Sequence, residues 1–177
     1  METRISKDDI LERAIDRRTL CRVLSRAHII VSTHWSSAHL YIGLPNAVFA
    51  SVIGVQALAD LTDVKLVLGL LSSLVAVLTA LITFLNPNEK SQTHLNASRL
   101  YEQVGDKYDA FLLKATLDLK SDITEYLEAL SYLNEEYSNA KKTLPMTPEW
   151  AYQQAAKRFK AEEESIYSRK PASSTLP

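Results

Sequence analysis

The chain has 177 residues, enough for one domain or for one membrane hairpin with helical extensions. Its formal net charge of −1 hides an uneven distribution, because basic residues crowd the first 26 positions and acidic residues concentrate after Leu117. The single cysteine, Cys21, excludes an internal disulfide and any cysteine-based zinc site. Glycine is scarce and the sequence lacks the alternation typical of strands, which predicts an almost all-α chain.

Residues 1–41 are predicted to form an N-terminal cytoplasmic amphipathic helix. Charged residues precede any apolar run, so a cleavable signal peptide is not expected. Arg18, Arg22 and Arg26 lie four residues apart on this helix and make one basic row. The row is interpreted either as a solvated face or as a contact with anionic lipid head groups. A nucleic acid or phosphorylated ligand is disfavoured, because no aromatic or glycine-rich element accompanies the row.

Two apolar segments predict a transmembrane hairpin at residues 42–85, with spans at about 42–59 and 66–85. No charged side chain occurs in either span. At ~1.5 Å per residue, a helix of about 20 residues crosses the ~30 Å hydrocarbon core of a bilayer. The short polar link between the spans makes them antiparallel. A buried hairpin in a soluble bundle is the alternative, but soluble helices rarely extend this far without a polar face.

The first span is predicted to start at Pro45, in the first turn of a new helix, with a bend between it and the preceding helix. Small residues in both spans follow a spacing that lets helix backbones approach closely in lipid. Together with Pro45, the residues assigned to helix packing are Gly43, Ala47, Ser51, Gly54, Gly69 and Ser73. Gln56 lies within the first span and is expected to face another helix or water.

A polar stripe follows the second span, because Ser72, Thr79, Thr83 and Asn86 are separated by seven, four and three residues. Their side chains either bond back to the helix and its neighbour or line a water-filled pore. Two spans cannot enclose a pore, so the second interpretation requires a homo-oligomer.

Beyond the hairpin, the sequence predicts a cytoplasmic helical region at 86–143, a terminal helix at 144–167 and a disordered tail at 168–177. The terminal helix is expected to start at Thr147–Pro148–Glu149, a cap followed by a first-turn proline and an acid. An apolar seam at steps of three and four predicts one or two helices that pack on the N-terminal helix or on other subunits. Its members are His94, Ala97, Tyr101, Val104, Tyr108, Phe111, Ala115, Leu119, Ile123, Tyr126, Leu130, Leu133, Tyr137 and Ala140.

The sequence contains no P-loop, no GxSxG and no glycine-rich phosphate loop, so no catalytic residue and no cofactor are assigned. His28, His34 and His39 are spaced six and five apart, on different helix faces, and predict no metal site. Lysine and arginine flank the outer ends of both spans, which predicts a multi-pass protein with both termini cytoplasmic.

The elements follow a particular order: an amphipathic helix, two spans joined by a short link, and long polar helices. The motifs at their boundaries are His39–Leu40–Tyr41–Ile42–Gly43–Leu44–Pro45, Ser51–Val52–Ile53–Gly54, Phe84–Leu85–Asn86–Pro87, Glu89–Lys90 and His94, with Tyr101 seven residues further on. This order resembles the SLATT superfamily, the SMODS- and SLOG-associating two-transmembrane effector domains of prokaryotic conflict systems. The resemblance covers roughly Ile10 to Tyr137, and the extension from Thr147 onward is not matched.

The missing catalytic motifs favour a non-enzymatic protein, and the resemblance implies an effector of the inner membrane that acts in antiphage or abortive-infection systems. Such proteins are proposed to oligomerise and form pores, or otherwise to perturb the membrane, when a sensor fires. The implied partners are the lipid bilayer, further copies of the chain, and a nucleotide second-messenger synthase or another sensor protein, without direct nucleic-acid contact. The alternative function is a membrane-anchored helical adaptor that recruits a cytoplasmic partner.

Overall fold

The computed structural model describes residues 6–58, 65–117 and 122–168, and the side chains of all of these except 56–58 and 166–168. All regular secondary structure in these ranges is α-helical, as the composition predicts. The helices are α1 Lys7–Leu58, α2 Lys65–Leu85, α3 Pro87–Leu117, α4 Ile123–Thr143 and α5 Glu149–Ser168. Outside this description lie residues 59–64, which include all of the predicted link except Lys65, and also the seam residue Leu119, the side chain of Gln56 and the tail beyond Ser168.

The longest element, α1, corrects the prediction that a new helix begins at Pro45. The helix runs from Lys7 through Leu58 with Pro45 in its interior. A proline there removes one backbone hydrogen bond and crowds the carbonyl four residues earlier. Stopping the helix would expose several more backbone groups to hydrocarbon, so a continuous helix with one lost bond is the lower-energy arrangement in lipid.

Two compact units make up the chain. The first, called here the helical unit, combines Met1–Val31 with His94–Pro177, and the second, the hairpin unit, is Ser32–Thr93. The helical unit is therefore discontinuous in sequence, with its N-terminal segment separated from the rest by the whole hairpin unit.

The core of the helical unit is formed by α3, α4 and the first part of α1. The first part of α1 contributes Ile10, Ala14 and Cys21, which are 0–1% exposed. The predicted seam supplies the rest of this cluster, namely Tyr101, Val104, Tyr108, Phe111, Ala115, Tyr126, Leu130, Leu133, Tyr137 and Ala140. Of the two predicted partners for the seam, the structure therefore shows the N-terminal helix. Ile123 was wrongly assigned to the seam, because it begins α4 and is 41% exposed.

A second apolar cluster joins α5 to α1 in the helical unit. Val23 and Ala27 of α1 pack with Ala155, and Phe159 covers the contact. The helix begins at Glu149, as the Thr147–Pro148–Glu149 sequence predicts. The Thr147 hydroxyl does not act as a cap, however, since its hydrogen bond goes to a histidine of α1.

Candidate functional site: the apolar hairpin and a buried histidine pair

Each of the two apolar segments forms a helix that could cross a membrane. One such apolar stretch lies in α1 and the other begins in α2, and no residue of either stretch is buried inside the chain. In α2 the outward side chains include Leu66, Leu70, Val77 and Phe84, which are 57–87% exposed. Apolar surface of this extent needs a nonaqueous environment or a protein partner.

Contacts within the hairpin unit show that its helical segments run antiparallel. The Lys90 ammonium lies 4.4 Å from the centre of the Trp35 ring, and Asn46 donates a 3.0 Å hydrogen bond to Thr79. Within α2, the half-buried positions recur at steps of three and four: Leu68, Leu71, Val75, Leu78 and Ile82. This narrow face is the one that α2 turns toward the rest of the hairpin unit.

Most of the predicted small-residue positions lie outside that face. Apart from its chain neighbours and the backbone of its own helix, a Cβ atom added to Gly43, Gly54 or Gly69 would meet no atom within 4 Å. The Ser51 hydroxyl donates to the Ala47 carbonyl at 2.8 Å, and the Ser73 hydroxyl donates to the Gly69 carbonyl at 3.0 Å. Since Ala47, Ser51, Gly54, Gly69 and Ser73 are exposed, these small-residue faces are open to contacts outside the chain.

The polar stripe of α2 makes hydrogen bonds within the hairpin unit. Thr79 accepts from Asn46, Thr83 donates to the Thr79 carbonyl at 2.9 Å, and the Asn86 amide donates to Glu89. Ser72 is exposed and makes no side-chain hydrogen bond with any described residue. These bonds agree with the interpretation in which the stripe is satisfied by its own helix and its neighbour. A role in lining a pore stays a prediction.

Asn46 is a residue that the sequence reasoning missed. It lies in the apolar part of α1, and its amide nitrogen binds Thr79 while its amide oxygen is buried without a partner. A side-chain amide within an apolar span indicates a helix contact that the sequence alone can reveal, because an amide in hydrocarbon requires a hydrogen-bond partner. That signal was recognised for Gln56 and overlooked for Asn46.

The basic row of α1 has carboxylate partners on other helices of the helical unit. Arg22 binds Asp106 at 2.7 Å and Asp109 at 2.6 Å, and Arg18 binds the second oxygen of Asp109 at 3.2 Å. Arg26 is 2.7 Å from Glu162 of α5. The row therefore fastens α1 to α3 and α5. The predicted contact with lipid head groups stays untested.

A buried histidine pair joins α1 to α3 in the helical unit. His28 is completely buried, and its Nδ1 lies 2.8 Å from Nδ1 of His94. Its other ring nitrogen, Nε2, is 3.0 Å from the Thr147 hydroxyl, and its ring stacks on Tyr101 with centroids 5.5 Å apart. Burial, together with the neighbouring His94, lowers the pKa of His28 to about 4, so the pair is neutral at pH 7.

The signal for this pair was present in the sequence as a repeated pattern. Residues 25–32 and 91–98 both read Ser-x-x-His-x-x-x-Ser. In the structure Ser25 bonds Ser98 at 3.0 Å, His28 bonds His94, and Ser32 bonds Ser91 at 3.0 Å. Two helices that carry the same polar spacing can pair these residues in one antiparallel register, because a buried polar group left unpaired is costly.

No metal-binding group appears among the described residues: no set of three or more histidine, cysteine, aspartate or glutamate side chains could hold an ion. The Cys21 thiol is buried, and burial raises its pKa to about 12, so it is protonated and unreactive at neutral pH.

Comparison with known protein families gave one finding. The profile described as SMODS and SLOG-associating 2TM effector domain family 4 matches residues 24–170. This range includes α5, so the C-terminal extension that the sequence resemblance did not cover is similar to this family as well. No curated protein and no solved structure matches the chain.

Proposed function

Because the chain belongs to family 4 of the SMODS and SLOG-associating two-transmembrane effector domains, we propose that it is a membrane effector whose hairpins assemble into a pore. Membership of this family makes it a membrane-associated effector domain of conflict systems. The assembly, the pore and the signal that opens it are the proposed steps. The proposed location is the inner membrane, with both termini in the cytoplasm.

The observation that carries this proposal is the open small-residue faces of the hairpin unit. Gly54 of α1 and Gly69 of α2 contact nothing within the chain where a Cβ would stand. In lipid, helices associate through close backbone packing, for which small residues are best suited. A second copy of the chain can therefore pack on these faces, and several copies can surround a channel that two spans cannot enclose.

The proposed mechanism is a shift between a closed and a conducting assembly. A partner sensor, such as a nucleotide second-messenger synthase, would bind one arrangement of the helical unit better than the other, which is what a shift in population requires. Ser72, Thr79, Thr83 and Asn86 are the proposed lining of the open path. Thr79 accepts a hydrogen bond from Asn46 within the hairpin unit, so in this proposal opening would exchange that bond for water.

The first test is leakage of potassium and of a small dye from cells after induced expression of the chain together with its partner sensor. A triple variant with Ser72→Leu, Thr79→Val and Thr83→Val removes the hydroxyl groups of the stripe. Leakage is expected to fall to that of cells without the protein, because an apolar constriction excludes ions and water.

The matched control changes three exposed apolar positions of the same helix, with Val67→Leu, Val77→Leu and Leu81→Val. This control is expected to leak like the unaltered protein at equal membrane abundance. Undiminished leakage in the triple hydroxyl variant would show that the stripe does not line the path.

The adaptor is the second candidate function, and two observations favour it. The hydroxyl groups of Thr79 and Thr83 are already satisfied inside the hairpin unit. The helical unit also exposes large apolar side chains, including Leu113 at 63%, Leu117 at 74% and Tyr132 at 62%. Under this alternative, co-expression with the partner sensor gives binding without any leakage.

A further inference from the structure

An open cavity of about 400 Å³ lies within the helical unit, bordered by α1, α3, α4, α5 and the segment that joins the last two helices. Its walls include the rings of Tyr101, Tyr137 and Tyr152 and the side chain of Leu24. Small-molecule sites are typically concave, mainly apolar and aromatic, and about 300–1,000 Å³ in volume. The cavity has the size and the lining of such a site.

The Tyr101 hydroxyl is a donor that has no acceptor in the part of the chain that the structure describes. Only 4% of Tyr101 is exposed, its ring is held between His28 and Tyr137, and it lines the cavity. Its hydroxyl nevertheless makes no hydrogen bond within residues 6–58, 65–117 and 122–168. Burial raises the pKa of this phenol to about 12, so the group keeps its proton and can donate it to an acceptor. The hydroxyl is not among the fully enclosed unpaired polar atoms of the described residues, so it is open at the cavity, where an acceptor from outside the chain can reach it.

Lys141 adds a positive charge to the same cavity. It lies in the last turn of α4 and forms no ion pair with the described part of the chain. The carboxylate that borders the cavity, Glu149, accepts a 2.9 Å hydrogen bond from Gln153. A phenol donor and an unpaired ammonium together suit an anionic oxygen group.

The segment Leu144–Thr147 supplies further polar contacts, because it is not helical. The Leu144 N–H is bonded to the Ala140 carbonyl and Pro145 has no N–H, so the backbone N–H groups that remain for a ligand are those of Met146 and Thr147. Thr147 also holds Nε2 of His28, so the cavity borders the residue that secures the buried histidine pair.

We propose that this cavity binds a small organic anion with an apolar, ring-sized body. The rings of Tyr137 and Tyr152 contact the body, and the anionic group accepts hydrogen bonds from Tyr101 and Lys141. The inference goes beyond the proposed pore, since it concerns binding in the helical unit and holds whether or not the hairpin conducts ions.

The test uses the full chain in phosphatidylcholine nanodiscs and the fluorescent probe 1-anilinonaphthalene-8-sulfonate, an aromatic anion. Signal from protein-free nanodiscs is subtracted. One saturable site per chain is expected. Tyr101→Phe should weaken probe binding about tenfold, since it removes a hydrogen bond to a charged group, and Lys141→Gln should weaken it several-fold.

Two matched controls separate binding from folding. Tyr108→Phe removes a buried hydroxyl that bonds Asn134 at 3.0 Å away from the cavity, and should lower the melting temperature while leaving the probe affinity unchanged. Tyr101→Phe should show the reverse pattern, because its hydroxyl has no hydrogen-bond partner among the described residues. Lys142→Gln, next to Lys141, should bind the probe normally. Absence of a saturable site, or equal affinity in Tyr101→Phe and the unaltered chain, would overturn the proposal.

Discussion

His28 illustrates at the residue scale how burial changes the chemistry of a side chain. The ring is fully enclosed, with His94 and Tyr101 of α3 and Thr147 of the α4–α5 segment around it. A single proton can be shared across the Nδ1–Nδ1 contact. If both rings were protonated, this hydrogen bond would be lost, because both Nδ1 atoms would then be donors. Burial also lowers the pKa of His94.

The histidine pair predicts that acid destabilises the helical unit. The unfolded chain takes up a proton near pH 6.5, whereas folded His28 stays neutral until about pH 4, so stability falls as the pH drops through this window. The loss from His28 should reach about 3 kcal/mol, at 1.36 kcal/mol per pKa unit. Chemical unfolding of the full chain in nanodiscs at several pH values from 7.5 to 4, followed by circular dichroism, measures it.

The effect is isolated by comparing variants in the slope of the unfolding free energy against pH. The useful range is pH 6.5 to 5, where most carboxylates do not titrate. His28→Leu should flatten that slope, even where its stability at pH 7 is lower. His34→Gln, a change at an exposed histidine of α1, should keep it. An unchanged slope in His28→Leu would assign the acid sensitivity to other groups.

At the scale of the element, each apolar helix has one narrow inward face and a wide outward face. The inward face of α2 consists of half-buried leucine, valine and isoleucine residues, and the small residues of both helices lie mostly outside the contact. In water this distribution would be unstable, because so much apolar surface is exposed. In lipid the outward surface has no such cost, and close packing becomes the main source of helix association.

A large side chain on a small-residue face should therefore block assembly without unfolding the chain. Gly54→Ile adds bulk where a Cβ would meet only its chain neighbours and the backbone of its own helix within 4 Å. The expected result is at least a several-fold loss of cross-linked oligomer in membranes, with an unchanged melting temperature.

The control for that experiment is Val55→Ile, an enlargement at a neighbouring position that is 67% exposed. It should cross-link like the unaltered protein. If Gly54→Ile assembles as well as Val55→Ile, the face that contains Gly54 does not mediate assembly.

On the scale of the whole molecule, the helical unit depends on a segment that is far away in sequence. Ile10, Ala14 and Cys21 complete the core formed by α3 and α4, and Arg22 adds ion pairs to Asp106 and Asp109. Residues after the hairpin unit therefore lack one wall of their own core.

This organisation predicts that residues 88–177 do not fold when expressed alone. Without α1, the seam exposes Tyr101, Tyr108 and Tyr137, which are at most 8% exposed in the intact unit. At about 1.5–3 kcal/mol for each large side chain, this loss of burial is comparable with the stability of a typical domain, about 5–15 kcal/mol. Circular dichroism and proteolysis should show a poorly structured, protease-sensitive fragment.

Joining residues 6–31 to 94–168 through a flexible linker should restore a cooperative thermal transition. The matched control carries Ile10→Asp and Ala14→Asp in the joined protein and should stay unfolded, since both positions are buried. A stable fragment 88–177 would show that α1 is dispensable for the core. It would also make that fragment sufficient for testing the adaptor function.

The sequence alone determined the helical class, the two spans, the start of α5 and nearly all of the α3–α4 core. These features follow from local patterns: runs of apolar residues long enough for a bilayer, steps of three and four along a helix, and a proline after a capping residue. The order of these elements and the motifs at their boundaries also gave the resemblance to the effector superfamily, and the family match over residues 24–170 shows the membership and extends it through α5.

Only the tertiary structure decided which residues meet. It placed His28 against His94, gave Arg22 two aspartates, directed Thr147 to a histidine, and carried α1 through Pro45 without a break. The physical reason is that each of these outcomes depends on burial and on the partner across the contact. Local periodicity states which face of a helix is apolar, but the pairing of polar groups is set by the register between helices far apart in the chain.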